Sequence, residues 1–277
     1  MRHAVTLALL GLAVVLAGCT GTDPGALLDR APGALEDAGT SRFEMEVSAA
    51  GEGVDATFAA TGEQDLRAGT LHMVTDLGLE GARTETLVAG ETIYLRSPMF
   101  ELFTGDPEAW VGIDLAAAGE TAGLDLDALV EDNTGPAALV QQLRGAAEEI
   151  EELGSAEVRG TATTHLRVTV HTERAIEQSP PEAREQLRAF AQASGLPDSY
   201  PLEVWVDDDA LVRRVRTVVE VEDETAGVVT QETTLELFDH GVPVDLDPPE
   251  ADEVVDLGTV LEDLAALEEG LDPAPSR

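Results

Sequence analysis

The sequence predicts an α+β fold built on one long antiparallel sheet. Three observations carry this. Apolar and polar residues alternate over stretch after stretch, turn residues stand between those stretches, and two longer segments repeat apolar residues at helical spacing. The chain of 277 residues has no Pro/Gly/Ser-rich linker long enough to force a boundary, so roughly 240 residues read as a single domain. A domain of that size buries about 70–75% of its unfolded surface.

In chain order, the first element is an export signal. Arg2 and His3 form a short basic patch, an uncharged and mostly apolar run follows over Ala4–Val15, and Leu16-Ala17-Gly18-Cys19 closes it. Basic, apolar and small-residue regions in that order describe a signal peptide, here residues 1–18. The apolar run, about twelve residues, is short of the ~20 needed to span a bilayer core. Leu-Ala-Gly-Cys resembles the bacterial lipobox, in which cleavage between Gly18 and Cys19 frees a cysteine that carries a diacylglyceryl group. Cysteine suits that chemistry because its thiolate is the best side-chain nucleophile near neutral pH. Cys19 is the only cysteine; a lone cysteine in an exported chain needs an explanation, and acylation supplies one. The expectation is an exported protein anchored to the outer face of the cell membrane by lipidated Cys19. Residues 19–29 then form the lipidated N-terminus and tether, 30–268 the domain, and 269–277 a disordered tail.

Strands and helices follow. A short helix is expected over Ala34–Ala38. Phe43, Met45 and Val47 then share one face while Arg42, Glu44, Glu46 and Ser48 take the other. Val54, Ala56, Phe58 and Ala60 alternate likewise; Leu71 and Met73, Thr84–Val88, Ile93 with Leu95, and Val111 with Ile113 continue the style. From Ala137 to Leu153 the spacing of Leu139, Leu143, Ala146, Ile150 and Leu153 predicts a helix with Glu148, Glu149, Glu151 and Glu152 off its stripe. Leu166, Val168 and Val170 alternate with His165, Arg167, Thr169 and His171. Ser179-Pro180-Pro181-Glu182 predicts the start of a second helix that buries Ala183, Leu187, Phe190 and Ala191, ending at Gly195-Leu196-Pro197. Strands over Leu202–Val206, Val212–Val221 and Val228–Phe238 and a helix over Val254–Leu267 complete the chain. Gly51-Glu52-Gly53, Ala89-Gly90-Glu91 and Asp207-Asp208-Asp209 suit hairpin turns. Alternation of this kind means a sheet with one wet face and one covered face.

Charge narrows the possible partners. Losing residues 1–18 removes Arg2 from the 16 basic residues and leaves 15 against 55 acids, a formal charge of −40. Every basic residue is arginine. Nucleic acid is excluded as a partner, since its binding needs a Lys/Arg footprint, and so is electrostatic capture of anionic headgroups. A saline setting, where salt screens the self-repulsion, is a further expectation.

Several segments together resemble the LppX/LprG-type lipoproteins, relatives of the LolA and LolB carriers. They are Ser41–Met45, Glu91–Leu95, Trp110–Asp114, Gly160–His165, Val204–Asp208, Leu211–Arg214 and Phe238–Gly241, spread over about 30–260. The resemblance implies a strongly curved antiparallel sheet, a half-barrel, with amphipathic helices covering its open concave face and an acyl chain held between them. On that reading Phe43, Met45, Val47, Ala56, Phe58, Leu71, Met73, Leu143, Ile150, Leu187 and Phe190 line the lipid cavity. The function implied is binding or carrying a lipid or other amphiphile. The alternative is a protein-interacting or sensory envelope lipoprotein on the same fold with no lipid cargo, its partner unidentified.

Catalytic signatures are missing from the sequence. It contains no Gly-x-Ser-x-Gly elbow, no His-Glu-x-x-His, no phosphate loop and no dinucleotide fingerprint, so no enzyme, cofactor or metal is expected. His165 and His171, about 20 Å apart along a strand, do not suit one metal, and Asp207–Asp209 lacks the glycine and late glutamate of a calcium loop. Trp110 and Trp205 are open to two roles, stacking on a ligand or packing at a strand edge.

Overall fold

The computed structural model describes residues 23–78, 83–117, 145–179, 181, 184–193, 195–223 and 227–259. Helix α1 spans Pro24–Ala38 and is followed by six strands: β1 Thr40–Gly51, β2 Val54–Asp65, β3 Thr70–Asp76, β4 Arg83–Ala89, β5 Thr92–Arg96 and β6 Trp110–Asp114. A 3-10 turn, Pro98–Phe100, and a single helical turn, α2 Glu101–Thr104, sit between β5 and β6. Strands β7 Ala147–Val158 and β8 Thr161–His171 lead into α3 Thr172–Gln178 and α4 Arg184–Ala193. Then come β9 Ser199–Val206, β10 Val212–Asp223, β11 Gly227–Phe238 and β12 Val254–Asp256.

Among the described residues, twelve strands join one sheet in the order β12-β6-β5-β4-β3-β2-β1-β11-β10-β9-β8-β7. Two meanders, β1–β6 and β7–β11, meet where β1 pairs antiparallel with β11, and the two edges of the sheet are β12 and β7. Among the described strands, β12 alone pairs in parallel, on β6. The α+β class and the antiparallel sheet agree with the sequence pattern.

Strand directions give the sheet two distinct ends. At one, β1 begins, β11 finishes, and the short turns β2–β3, β4–β5, β7–β8 and β9–β10 lie; α1 joins β1 here through Gly39. The opposite end carries the β1–β2, β3–β4, β5–β6, β8–β9 and β10–β11 connections. We term these the closed and the open end.

Leu27, Leu28, Ala31 and Leu35 of α1 are buried in one core with Phe43, Leu71, Val88, Leu166, Val204, Val215 and Leu237. Those strand residues run from β4 to β8, about 33 Å across a flat sheet, whereas α1 is only about 22 Å long. Sharing one core over that width is what a sheet bent around the helix provides.

The structure corrects four sequence expectations. Residues 147–153 of the expected Ala137–Leu153 helix lie in β7 (137–144 lie outside the described residues). Bulges at Ala147/Glu149 and Glu152/Gly154 each insert one residue into a two-residue repeat, so Ala147, Ile150 and Leu153 fall three apart and imitate a helical stripe. The acidic residues between them instead decorate an edge strand, where charge discourages pairing with another chain.

The N-terminal helix is longer than Ala34–Ala38 and starts inside the stretch expected as tether. Asp23 caps it, its Oδ1 accepting from the Gly25 amide at 3.0 Å, and Pro24 occupies the first turn. Pro32 and Gly33 lie within it, and burial of Leu27, Leu28, Ala31 and Leu35 outweighs their poor propensity. At its C-terminus Arg67 donates to the Asp37 carbonyl at 2.5 Å, a cation where the helix dipole favours one.

The second expected helix begins at Arg184 as α4, with Pro180, Glu182 and Ala183 outside the described residues. Leu187, expected buried, is 37% exposed, because α4 packs chiefly on α3. Finally, Val254–Asp256 is strand β12 rather than the start of a helix, its backbone paired with Trp110–Gly112; residues 260–267 are not described.

Candidate functional site

Register defines the inner face. Phe43, Met45 and Val47 on β1 stand opposite Gly62, Ala60 and Phe58 on β2, and Ala49 opposite Ala56. Gly62 in turn faces Met73, and Gln64 faces Leu71. Far along the sheet, Ile150 stands opposite Val168. The sequence-derived residues Phe43, Met45, Val47, Ala56, Phe58, Leu71, Met73 and Ile150 therefore share the face that α1 packs against. Leu187 lies on α4 and does not join them. Leu143 and the Phe190 side chain lie outside what the structure describes.

On β1 to β3 exposure rises along this face from the closed end to the open one. Phe43 is 2% exposed and Leu71 7%, both inside the α1 core. Met45, Met73 and Ile150 are partly buried against that core. Val47 and Ala56 are half-buried, and Phe58 reaches 38%. Residues with hydroxyl or amide groups join the face there: Thr233 opposite Val47 and Gln231 opposite Ala49. Beneath α1 the polar pair is closed, with Gln64 donating to the Ser41 hydroxyl at 2.8 Å, both buried.

The outer face is occupied by cross-strand charge pairs. His165, Trp205, Arg214, Glu236 and Glu44 form one row over β8, β9, β10, β11 and β1. Trp205 is 7% exposed; its ring stacks on His165 at 4.2 Å and 9°, with the Arg214 guanidinium 5.4 Å away. Trp110, 8% exposed, lies under Arg96 at 4.5 Å. Both tryptophans thus take the packing role. Arg159 donates to Glu236 at 2.6 Å and to Glu44, and lies over the Phe238 ring. Burial opposes ionisation of Glu236, but hydrogen bonds from Arg159 and Arg214 prevail and hold its pKa below the usual carboxylate value. Glu85 behaves alike: burial is outweighed by Arg96 and His72.

Asp207 organises the β9–β10 turn. Its Oδ1 accepts from the Asp209 and Leu211 amides at 3.0 and 2.9 Å, and its Oδ2 from Arg213 at 2.7 Å. This is a hairpin staple, as the turn chemistry suggested. Nearby His240 has its pKa pushed down to about 4, by burial first and then by the Arg213 charge. Among the described residues, no group of three or more His, Cys, Asp or Glu is arranged to hold a metal. A groove of about 140 Å³ lies between α3 and α4, lined by Ile176, Arg188, Ala191 and Leu196 among others; that is below the ~300 Å³ typical of a small-molecule site.

No protein-family model matches the chain, and neither does any curated protein. Solved structures do. The chain is similar to LppX and LprF. The lipoprotein LppX of Mycobacterium tuberculosis is 16% identical, with 82% of this chain and 100% of that one covered and a TM-score of 0.45. LprF from Mycobacterium bovis is 14% identical over 82% and 97% of the two chains, TM-score 0.46. A LolA superfamily protein from Nitrosomonas europaea is 8% identical over 82% and 96%, TM-score 0.29.

Proposed function

We propose that this protein is a membrane-anchored, extracytoplasmic lipoprotein that binds a lipid or other amphiphile on the inner face of its sheet. One observation carries the reading: a single apolar face passes from fully buried under α1 to partly open at Phe58. Buried methylene groups gain ~0.8 kcal/mol each, so an acyl chain laid over Val47, Ala56 and Phe58 toward Met45 and Met73 is favoured. Thr233 and Gln231 then offer hydrogen-bonding groups where a headgroup emerges. The outer face has little to offer such a ligand, since its aromatic rings are already stacked on His165 and Arg96.

On this reading helices complete the site by keeping water from the occupied face; the packing of α1 in the core at the buried end supports it. Anchoring through Cys19 keeps the site beside the membrane that supplies its ligand.

Native mass spectrometry of the purified mature protein tests this. A co-purifying amphiphile of defined mass is expected, released by organic extraction with the fold intact. A single unliganded mass, and no uptake of a fluorescent fatty acid afterwards, overturns the lipid reading in favour of a protein-binding lipoprotein.

A further inference from the structure

Large exposed hydrophobic side chains are unevenly placed. Among the described residues they are Phe58, Leu77, Met99, Leu102, Leu187 and Val228, plus Val242. Isolated exposed apolar residues are ordinary on any protein. Here the first six all fall toward the open end, on β2, just after β3, between β5 and β6, on α4 and at the start of β11. Val242 alone follows β11 at the closed end.

The most exposed of them are presented by an ordered turn. Met99 is 68% exposed and Leu102 78%, three residues apart on the Pro98–Thr104 helical turn and so on a shared side. Pro98 opens the turn behind a Ser97 cap, the Gly105 amide closes it onto the Glu101 carbonyl at 2.8 Å, and Thr104 donates to the Phe100 carbonyl at 3.0 Å. Such a turn holds two apolar side chains outward at fixed places.

We propose that the open end docks against the lipid bilayer, with Met99 and Leu102 entering its interface. The inference rests on the reading of Cys19 as acylated. Five residue steps separate Cys19 from Pro24, at most about 17 Å of extended chain, so a body that begins at α1 is held against the membrane and must turn some face to it. Charge decides how that face makes contact. With a net charge of −39 and no lysine, attraction to anionic headgroups is unavailable, which leaves apolar insertion, and the open end supplies the apolar side chains. In this orientation the exposed part of the inner face opens toward the lipid.

The test uses acylated protein reconstituted in phosphatidylcholine vesicles. Acylation leaves the native chain without a free thiol, so Leu102→Cys and Val242→Cys each accept one environment-sensitive fluorophore. The probe at 102 is expected to emit further to the blue and to lose at least half its intensity with brominated acyl chains, while the probe at 242 does neither. Equal quenching at the two sites, or none at either on vesicle-bound protein, overturns the proposed orientation. The parent chain separates the two readings. If it accepts the fluorophore at Cys19 and does not float with vesicles, acylation is wrong, and the docking falls with it.

Discussion

The Phe43 ring lies on Gly62 across the β1–β2 pair: a Cβ added to Gly62 would stand 2.5 Å from Phe43 Cζ and closer still to the His72 carbonyl oxygen. Backbone on one side and a 2%-exposed ring on the other leave no room to yield. Gly62→Ala is therefore expected to destabilise the protein by about 1–3 kcal/mol, read as a lower midpoint in urea. An unchanged midpoint would show that the ring moves freely there.

Farther along the same face space opens. Ala56→Trp is expected to lower uptake of a fluorescent fatty acid several-fold while the melting temperature shifts by only about 2 °C. Ala60→Trp, placed where exposure is 3%, is expected to unfold the protein instead. Full uptake by the folded Ala56→Trp variant would put the ligand elsewhere.

Glu44 and Glu236 stand directly opposite each other with Arg159 between them. Replacing Arg159 with Ala removes both pairs and the contact with Phe238, and leaves two like charges adjacent. A loss of about 1–2 kcal/mol is expected, kept small by the partial exposure of the group. Adding Glu44→Gln should restore part of it; a double variant no better than the single would deny the bridging role.

His240 makes stability depend on pH. Its folded pKa of about 4 lies below the unfolded value near 6.5, so the unfolded chain binds the extra proton first. Stability is then unaffected above about 6.5 and falls as pH drops from there to about 4. In His240→Gln the decline over that window should be shallower, by on the order of 3 kcal/mol at most. Glu236 and Glu85, whose folded pKa values are depressed, add stability that is lost at lower pH, as each is protonated. Parallel stability curves for parent and variant between pH 6.5 and 4 would remove His240 from the account.

Cys19→Ser is expected to move the exported protein from the membrane fraction to the soluble one, with no change in its melting temperature. Retention in the membrane fraction would assign the anchor to another group.

Strands were legible where alternation was clean. Phe43, Met45 and Val47, or Leu166, Val168 and Val170, announce both a strand and its covered face. β7 was not, because its two bulges turn a period of two into a spacing of three, and only pairing with β8 reveals the extra residues. α1 was partly hidden by Pro32 and Gly33, although Asp23-Pro24 followed by Leu27, Leu28, Ala31 and Leu35 is a cap and a helical stripe. In the candidate site, parity along each strand grouped the inner-face residues correctly. Leu187 was misplaced because its position depends on where α4 docks, and periodicity carries no docking information. The stacking of Trp205 on His165 depends on register between β8 and β9, which no single strand reveals.

The pairing of β1 with β11 joins segments about 190 residues apart at the centre of the sheet. β1 can pair with β2 at once, but its other edge stays unpaired until β11 is available, and that long loop closure makes folding slow. Until then the polypeptide exposes one unpaired strand edge to its neighbours. Its dense negative charge keeps such half-made copies apart, so the acidity serves the nascent molecule as much as the finished one.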